Sequence, residues 1–170
     1  EGLGEAFIES WKGRAFEHCH YIRKHLAAGS SANNHLVGEV AGLFLGCAAF
    51  PFFSRAPVWG ALARSILARE LNLQIHPDGV NKEQTAGYHT FIADFFLIPG
   101  VVAQGSEDPF PETYWDRLQA MAEFSAALVD VGGNVPAIGD LDDGHMTRLC
   151  DSLDFHPHLS LVASMAVLRD

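Results

Sequence analysis

The sequence predicts an all-α protein built as an array of helical hairpins. Apolar residues recur at three- and four-residue steps through most of the chain, and polar or glycine-rich segments interrupt them about every fifty residues. No pair of alternating strands with a hairpin turn competes with this pattern. With 170 residues, 48% of them hydrophobic and 19% charged, the chain can bury a core of ordinary globular composition.

Three helices are predicted in the first half of the chain. A stripe of apolar residues predicts the first over residues 7–26, and Gly29 follows it as a stop signal. The second, over residues 34–50, is apolar on nearly all sides, as expected of a helix buried all round. The third has Pro57 in its first turn and continues to about Leu71 on one apolar face.

Three more helices are predicted in the second half. An aromatic-rich helix over residues 83–97 should end before Pro99 and Gly100, because proline interrupts helical hydrogen bonding. The next should run over residues 111–128 and stop before two glycines. A last apolar helix is expected over residues 157–168.

The alternation of amphipathic and nearly all-apolar helices predicts two layers, with the polar loops on one rim that forms a cleft. Six helices make only part of a ring, and the last one reaches Asp170 without a stop signal. We therefore expect residues 1–170 to be part of a single domain, without an internal boundary, and the array to be incomplete.

Composition argues against several functions. The net charge is −10 with only 11 Lys and Arg, whereas nucleic-acid binding needs a basic face. The longest apolar stretch, residues 36–53, contains Glu39, three glycines and Pro51, so we expect no membrane span. The chain has three cysteines, Cys19, Cys47 and Cys150, whose spacing indicates neither a disulfide framework nor a zinc site. We expect them to be buried thiols.

No metal or cofactor is assigned. The pairs His18 with His20 and His156 with His158 lack the spacing of zinc sites. The segment GDLDDG, residues 139–144, resembles a calcium loop only faintly and is better explained as a turn.

The densest polar cluster is SSANNHLVGE, residues 30–39, at the start of the most apolar helix. Ser31, Asn33 or Asn34 can cap this helix, but one cap does not explain the whole cluster. His35 and Glu39 lie one turn apart. They predict either a buried ion pair or a carboxylate that orients a catalytic histidine, and spacing alone does not decide between these.

The segments NNHLVGE, PDGVNKEQTAGYHTFIADFF, YWDRL and PAIGDLDDG, in this order, resemble the heparinase II/III-like polysaccharide lyases and their alginate-lyase relatives. The resemblance covers about residues 30–144. It implies an incomplete α/α toroid followed by a β-sandwich region, with an acidic polysaccharide bound between them, and a periplasmic or secreted bacterial location. In the matching positions, Asn34 and His35 would engage the uronate carboxylate and Tyr88 would be the catalytic tyrosine.

These residue types suit β-elimination. Removing the C5 proton of a uronide requires its carboxylate to be neutralised, and Asn34 and His35 can donate hydrogen bonds to it. A tyrosine with an ordinary pKa of about 10 can protonate the leaving oxygen at neutral pH, and can act as base only if nearby cations lower that pKa. We expect Tyr88 to be the acid first.

Four further residues are candidates for substrate binding. Glu39 would hold His35 in one tautomer or keep it protonated, Gln84 and His89 would contact sugars, and Lys82 would add positive charge at the rim. The β-region should pack against this chain and complete the cleft. We expect the segment alone to be inactive, since it lacks the opposing wall.

Two other functions remain open at this stage. A glycoside hydrolase would need two carboxylates flanking the bond, for which the candidates are Glu39, Asp78, Asp140, Asp142 and Asp143. A non-catalytic glycan-binding module could use the same cleft. If the chain is part of a lyase, we expect the helices that begin near Asn34 and Glu83 to pack side by side. His35 and Tyr88 would then face one cleft.

Overall fold

The computed structural model describes residues 4–140, 144–146 and 154–170. Over these ranges the chain is helical, and its only β pairing is an isolated bridge between Ile75 and Asn81. The predicted all-α class is therefore confirmed. A 3₁₀ helix covers Gly29–Ser31, and the α-helices are α1 Glu5–Lys24, α2 Asn34–Ala49, α3 Ala56–Gln74, α4 Ala86–Gln104, α5 Glu112–Leu128 and α6 Pro157–Arg169.

The predicted end of the fourth helix is wrong, because α4 continues through Pro99 to Gln104. In the turn that the proline interrupts, the Tyr114 hydroxyl donates to the Phe96 carbonyl over 2.7 Å, so a side chain of α5 binds backbone there. A Cβ at Gly100 would lie 2.9 Å from the Trp115 ring, so the glycine allows α5 to pack closely. Packing against α5 thus outweighs the helix-breaking signal.

The chain forms two compact units, residues 4–66 and residues from 67 onward, and the division falls inside α3. Because the division lies within a helix and not in a linker, it marks no break in the secondary structure. The prediction of a single toroid domain stays a prediction.

In the first unit α1 packs against α2. The most deeply buried side chains belong to α2, where Val37, Val40, Ala41 and Leu43 are inaccessible to solvent, as its apolar pattern predicts. The predicted burial of the Cys19 and Cys47 thiols is confirmed, and both are free. Cys150 lies outside the described residues.

In the second unit α4 is the central helix and contacts both α5 and α6, which also contact each other. Among the described helices, α4 alone is long and apolar enough to cross a membrane. The same composition fits a core helix, since Ile92, Ala93 and Phe96 are fully buried in this unit.

The loop between α3 and α4 is tied to its surroundings at several points. The Arg117 guanidinium donates to the Ile75 carbonyl over 2.9 Å, and the Lys82 N–H donates to the Gln74 carbonyl over 2.9 Å. Gly79 has φ +88°, and a Cβ there would lie 2.1 Å from the Ala120 carbonyl oxygen of α5. Only glycine fits this approach without moving the backbone.

We predict that Gly79→Ala destabilises the protein far more than Gly133→Ala. Both glycines have positive φ, but nothing lies within 4 Å of a Cβ at Gly133. An alanine there should cost about 1–2 kcal/mol of backbone strain. At Gly79 the overlap with α5 adds to that strain, so the free energy of unfolding in urea should fall by roughly 3 kcal/mol or more. Equal losses in the two variants would contradict this account of the loop.

Candidate functional site

At the start of α2, one residue of the polar cluster 30–39 caps the helix and the others have different environments. The Asn33 side chain accepts a hydrogen bond from the His35 backbone N–H over 3.1 Å, which confirms Asn33 among the three predicted caps. Asn34 is buried and the side chain of His35 is exposed. Since Asn33 supplies the cap, capping does not account for the next two residues.

Glu39 has a different partner from the predicted one. Its Oε2 accepts a hydrogen bond from the Ala27 backbone N–H over 2.6 Å, which ties the connection after α1 to α2. Over residues 4–66 the structure shows no hydrogen bond or ion pair between Glu39 and His35. A backbone donor occupies Oε2 of this carboxylate, and the expectation that Glu39 orients His35 stays a prediction.

The start of α4 is held from two directions. The Thr85 hydroxyl accepts from the Tyr88 N–H over 3.1 Å, and the Ile138 carbonyl accepts from the Ala86 N–H over 3.0 Å. Gly139, with φ +69°, packs so closely that a Cβ would lie 2.6 Å from Thr85 Cγ2. These contacts place Tyr88 in the first turn of α4, which begins at Ala86, three residues after the predicted start near Glu83.

Tyr88 itself is half-buried. Its ring meets that of Phe91 edge-on at a centroid distance of 6.1 Å, within the range of favourable aromatic contacts. The side chain thus packs against its own helix while part of it stays accessible to solvent.

Lys82 and Gln84 are exposed in the loop that leads into α4. Gln84 has φ +57° and is the one non-glycine residue with positive φ in the described chain. Its N–H donates to the Asn81 carbonyl over 2.9 Å, which closes a tight turn. Such backbone strain concentrates at functional sites, so this outlier fits a role for Gln84 beside Tyr88.

His89 lies inside the second unit, with 1% of its surface exposed. Its Nε2 is 3.0 Å from the Met121 carbonyl oxygen, which can only accept, so Nε2 carries the proton. Burial lowers the pKa of His89 from its ordinary 6.5 to about 4, with the Met121 bond opposing this and nearby His158 adding to it. The ring is therefore neutral at pH 7.

A pocket of about 180 Å³ lies beside the start of α4. Two of the predicted binding residues, Gln84 and His89, line it together with Asn81 and Thr85. The remaining wall is apolar and comes from the loops and from α4 and α5: Val80, Ala86, Phe124, Leu128 and Ile138. A mainly apolar wall with a few polar groups is typical of small-molecule binding sites.

Three polar residues of this unit were not predicted from the sequence. Asn81 is 1% exposed, and its Nδ2 has no partner among the described residues. Asp94 is half-buried on α4, and burial raises its pKa from 3.8 to about 6, partly offset by His145. Glu70 is 3% exposed and accepts from Arg69 and Gln74. Asp94 could have been identified from the sequence, since it is the only carboxylate in an otherwise apolar helix.

The structure brings Lys82, Gln84, Tyr88 and His89 together around the start of α4. Asn34, His35 and Glu39 belong to the first unit, so a shared cleft for His35 and Tyr88 stays a prediction.

The carboxylates considered for a hydrolase are not brought together by the described structure. Asp78 and Asp140 are exposed, and Asp78 accepts from the Val80 N–H over 3.2 Å as a turn residue. Asp142 and Asp143, and with them part of the segment GDLDDG, lie outside the described residues. Among the residues that are described, no group of three or more histidine, cysteine or acidic side chains is placed to hold a metal ion.

Residues 2–158 match the family described as Heparinase II/III N-terminus. The chain belongs to the heparinase II/III family. A heparin-sulfate lyase of Bacteroides stercoris is 31% identical over 99 residues, 57% of this chain and 15% of that protein. A heparin-sulfate lyase of Pedobacter heparinus is 30% identical over 143 residues, 79% of this chain and 20% of that protein. The resemblance seen in the motifs is confirmed.

The chain spans a fifth or less of the length of these two curated relatives. No solved structure matches it. The match therefore establishes the family, a family of polysaccharide lyases, and concerns its N-terminal region.

We predict that Asp94→Asn stabilises the protein at pH 8 and that this gain shrinks as the pH falls from 6 to 4. The folded pKa of Asp94 is raised to about 6, so the folded protein holds a poorly solvated carboxylate above pH 6 and takes up a proton below it. The gain at pH 8 should be about 1–3 kcal/mol, measured by urea unfolding at each pH. The exposed Glu107→Gln is a matched control. A gain that is the same at pH 4 and pH 8 would rule out charge burial as the cause.

Proposed function

We propose that this chain is part of a polysaccharide lyase that cleaves a uronic-acid-containing glycan by β-elimination. The observation that carries the proposal is the similarity to the Pedobacter heparinus heparin-sulfate lyase over 79% of this chain. Asn34 and His35 neutralise the uronate carboxylate, and Tyr88 is the catalytic acid.

The positions of Asn34 and His35 support the first role. Both lie in the first turn of α2, where the helix dipole favours an anion. A carboxylate bound there is stabilised further as its charge increases, when the C5 proton leaves and the enolate forms. The backbone and the two side chains therefore act in the same direction.

The position of Tyr88 supports the second role. In the reaction the C5–H and C4–O bonds break and a C4=C5 double bond forms. One proton goes to a base, and another must reach the departing glycosidic oxygen. The Tyr88 hydroxyl supplies this second proton, and its place in the first turn of α4 favours the phenolate that results. The same phenolate can take the C5 proton in the following cycle, which would let one tyrosine serve both steps.

We predict that Tyr88→Phe in the complete protein lowers kcat by roughly 100- to 10,000-fold and leaves substrate binding nearly unchanged, because only the transferable proton is lost. The assay follows ultraviolet absorbance of the unsaturated product on heparan sulfate, heparin, hyaluronan, alginate and polyglucuronate. Tyr21→Phe is the matched control, since Tyr21 is an exposed tyrosine of α1.

Three outcomes would contradict this proposal. New reducing ends without ultraviolet absorbance would indicate hydrolysis, and binding without any product would indicate a glycan-binding module. Equal losses of binding and kcat in Tyr88→Phe would indicate a structural hydroxyl.

We also predict that His35→Ala lowers kcat/KM on the same substrate by at least tenfold, because the uronate carboxylate loses a donor. Its side chain is exposed, so the free energy of unfolding should change little. His18→Ala, an exposed histidine of α1, is the control and should retain activity. Full activity in His35→Ala would remove His35 from the site.

A further inference from the structure

Three histidines lie together where α4, α5 and α6 meet: His89, His156 and His158. The rings of His89 and His158 are nearly parallel, with planes 6° apart and centroids 6.1 Å apart, and the centroids of His156 and His158 are also 6.1 Å apart. We call these three residues the histidine cluster. Such a group is sensitive to acid, because imidazoles that become positive together repel one another.

His156 caps α6 with a neutral imidazole. Its Nδ1 accepts from the Leu159 backbone N–H over 3.3 Å, and its Nε2 lies 2.9 Å from the Gly133 carbonyl oxygen. The carbonyl can only accept, so the ring proton is on Nε2 and Nδ1 is the acceptor. A second proton on Nδ1 would turn this acceptor into a donor that faces another donor. Protonation therefore removes the cap of α6.

His158 fastens the same helix to α5 and to α4. It is 5% exposed, and its Nδ1 lies 3.1 Å from the Ser125 hydroxyl oxygen of α5. Burial lowers the pKa of His158 below its ordinary 6.5, His156 adds to this, and the Ala86 backbone opposes it. A backbone group that favours the charged ring is a carbonyl, since only an acceptor gains from the extra proton. His158 thus lies against Ala86, the first residue of α4.

The contact with Ala86 connects α6 to the proposed catalytic residue. Ala86 is two positions before Tyr88, and its N–H donates to the Ile138 carbonyl over 3.0 Å. The first turn of α4 is therefore held by Ile138 on one side and by His158 on the other. Because Tyr88 belongs to this turn, the place of its hydroxyl depends on α6 staying where it is.

We propose that His156 and His158 hold α6 against the first turn of α4 and thereby position Tyr88, and that their protonation in acid loosens α6. The two histidines are positioning residues, since they act through Tyr88. This inference rests on the proposed function for the role of Tyr88, and it adds how pH regulates that site.

No described opposite charge holds the added protons in the cluster. Neither His89 nor His158 owes its pKa to a carboxylate, because burial, two backbone groups and the neighbouring histidines account for both. The other titratable or charged side chains on the surrounding elements are Tyr88 and Asp94 on α4, Glu112, Asp116, Arg117 and Glu123 on α5, Asp130, Asp140, His145 and Asp154 in the connections, and Arg169 at the end of α6.

Several of these charged groups have their own partners. Asp94 is influenced by His145, and Asp130 accepts from the N–H groups of Gly132 and Asn134. At the far end of α6, the Arg169 guanidinium binds two carboxylates of α5. That end of α6 is therefore tied down by an ion pair, whereas its first turn depends on neutral histidines.

The direction of the pH effect follows from the lowered pKa values. The folded pKa of His158 lies below the unfolded value of 6.5, and that of His89 is about 4. The neutral rings therefore support the folded contacts fully above pH 6.5, and this support is lost as the pH falls toward the folded values. Acid should loosen α6 before α5, because the cap and the first-turn contacts of α6 are the ones that titrate.

Hydrogen exchange of the complete protein tests the cluster without any turnover. Protection factors, corrected for the intrinsic effect of pH, are measured from pH 7 to pH 4.5 for peptides that cover α6, the first turn of α4 and the middle of α5. We expect protection in the first two to fall by roughly tenfold or more, with a much smaller change in α5. Equal losses in all three would show global acid unfolding and would overturn the proposal, as would unchanged protection of α6.

A substitution of the cap tests His156 directly. His156→Asn keeps a good capping acceptor that cannot be protonated, and His18→Asn, at an exposed position of α1, is the matched control. We expect the pH at which α6 loses half of its protection to fall by roughly 0.5 unit or more in His156→Asn only, since one acid-sensitive contact no longer titrates. The same midpoint in both variants would overturn the role of His156.

A second variant tests His158 through its partner. Ser125→Ala leaves the helix intact but removes the hydroxyl that bonds to Nδ1, so the neutral ring is held less well. We expect the midpoint of α6 protection to move to higher pH, opposite to the effect of His156→Asn. A midpoint that does not move would contradict the part assigned to His158.

Turnover separates the positioning of Tyr88 from the lyase function itself. We expect the acid limb of the kcat profile in His156→Asn to move with the protection midpoint, while KM at pH 7 stays within about twofold because the residue does not touch substrate. Identical kcat profiles in His156→Asn and His18→Asn would overturn the positioning of Tyr88 and leave the lyase intact. No unsaturated product at any pH would refute the lyase, and hydrogen exchange would then decide by itself whether the cluster holds α6.

Discussion

The start of α4 is the constraint on which the candidate site of the second unit depends. Thr85 caps the helix, the Ile138 carbonyl accepts from the Ala86 N–H, and Gly139 packs directly on Thr85. The first turn is thereby fixed by residues some fifty positions further along the chain. This first turn also fixes the positions of Tyr88 and His89. Tyr88 is half-buried, and His89 is buried inside the unit.

The apolar environment of α4 has opposite effects on the pKa values of its two titratable core groups. Burial lowers that of His89 to about 4 and raises that of Asp94 to about 6, so each is pushed toward its neutral form. For His89 the consequence is chemical. The neutral ring donates from Nε2 to the Met121 carbonyl, and its Nδ1 is a buried acceptor without a partner among the described residues.

The same burial of His89 makes acid destabilise the second unit, because a folded pKa of about 4 lies below the unfolded value of 6.5. The neutral ring supports folding fully above pH 6.5, and this contribution is lost as the pH falls toward 4. Asp94 acts in the opposite direction over an overlapping range, so the two groups partly compensate.

Local signals in the sequence predicted much of the fold. The six helices, the cap at Asn33 and the buried cysteines follow from periodicity, capping preference and composition, each of which depends on neighbours in the chain. The motifs also indicated the family, whereas the roles that the resemblance implies for Asn34, His35 and Tyr88 stay predictions.

The features that could not be predicted depend on partners far along the chain. Helix α4 continues past Pro99 to Gln104 and packs closely on α5 at Gly100. Glu39 bonds to the Ala27 N–H, a choice that spacing to His35 could not reveal. The tautomer of His89 is set by the Met121 carbonyl, 32 positions away. Such contacts form only once the helices pack.

The proposed function requires that Asn34 and His35 hold one uronate and that Tyr88 protonates its leaving oxygen. The most direct measurement is a crystal structure of the complete Tyr88→Phe protein with a bound uronate oligosaccharide. The account predicts the uronate carboxylate within hydrogen-bond distance of the Asn34 and His35 side chains, with the scissile glycosidic oxygen facing residue 88. A uronate bound away from these two residues, or positions 35 and 88 on opposite faces of the protein, would contradict it.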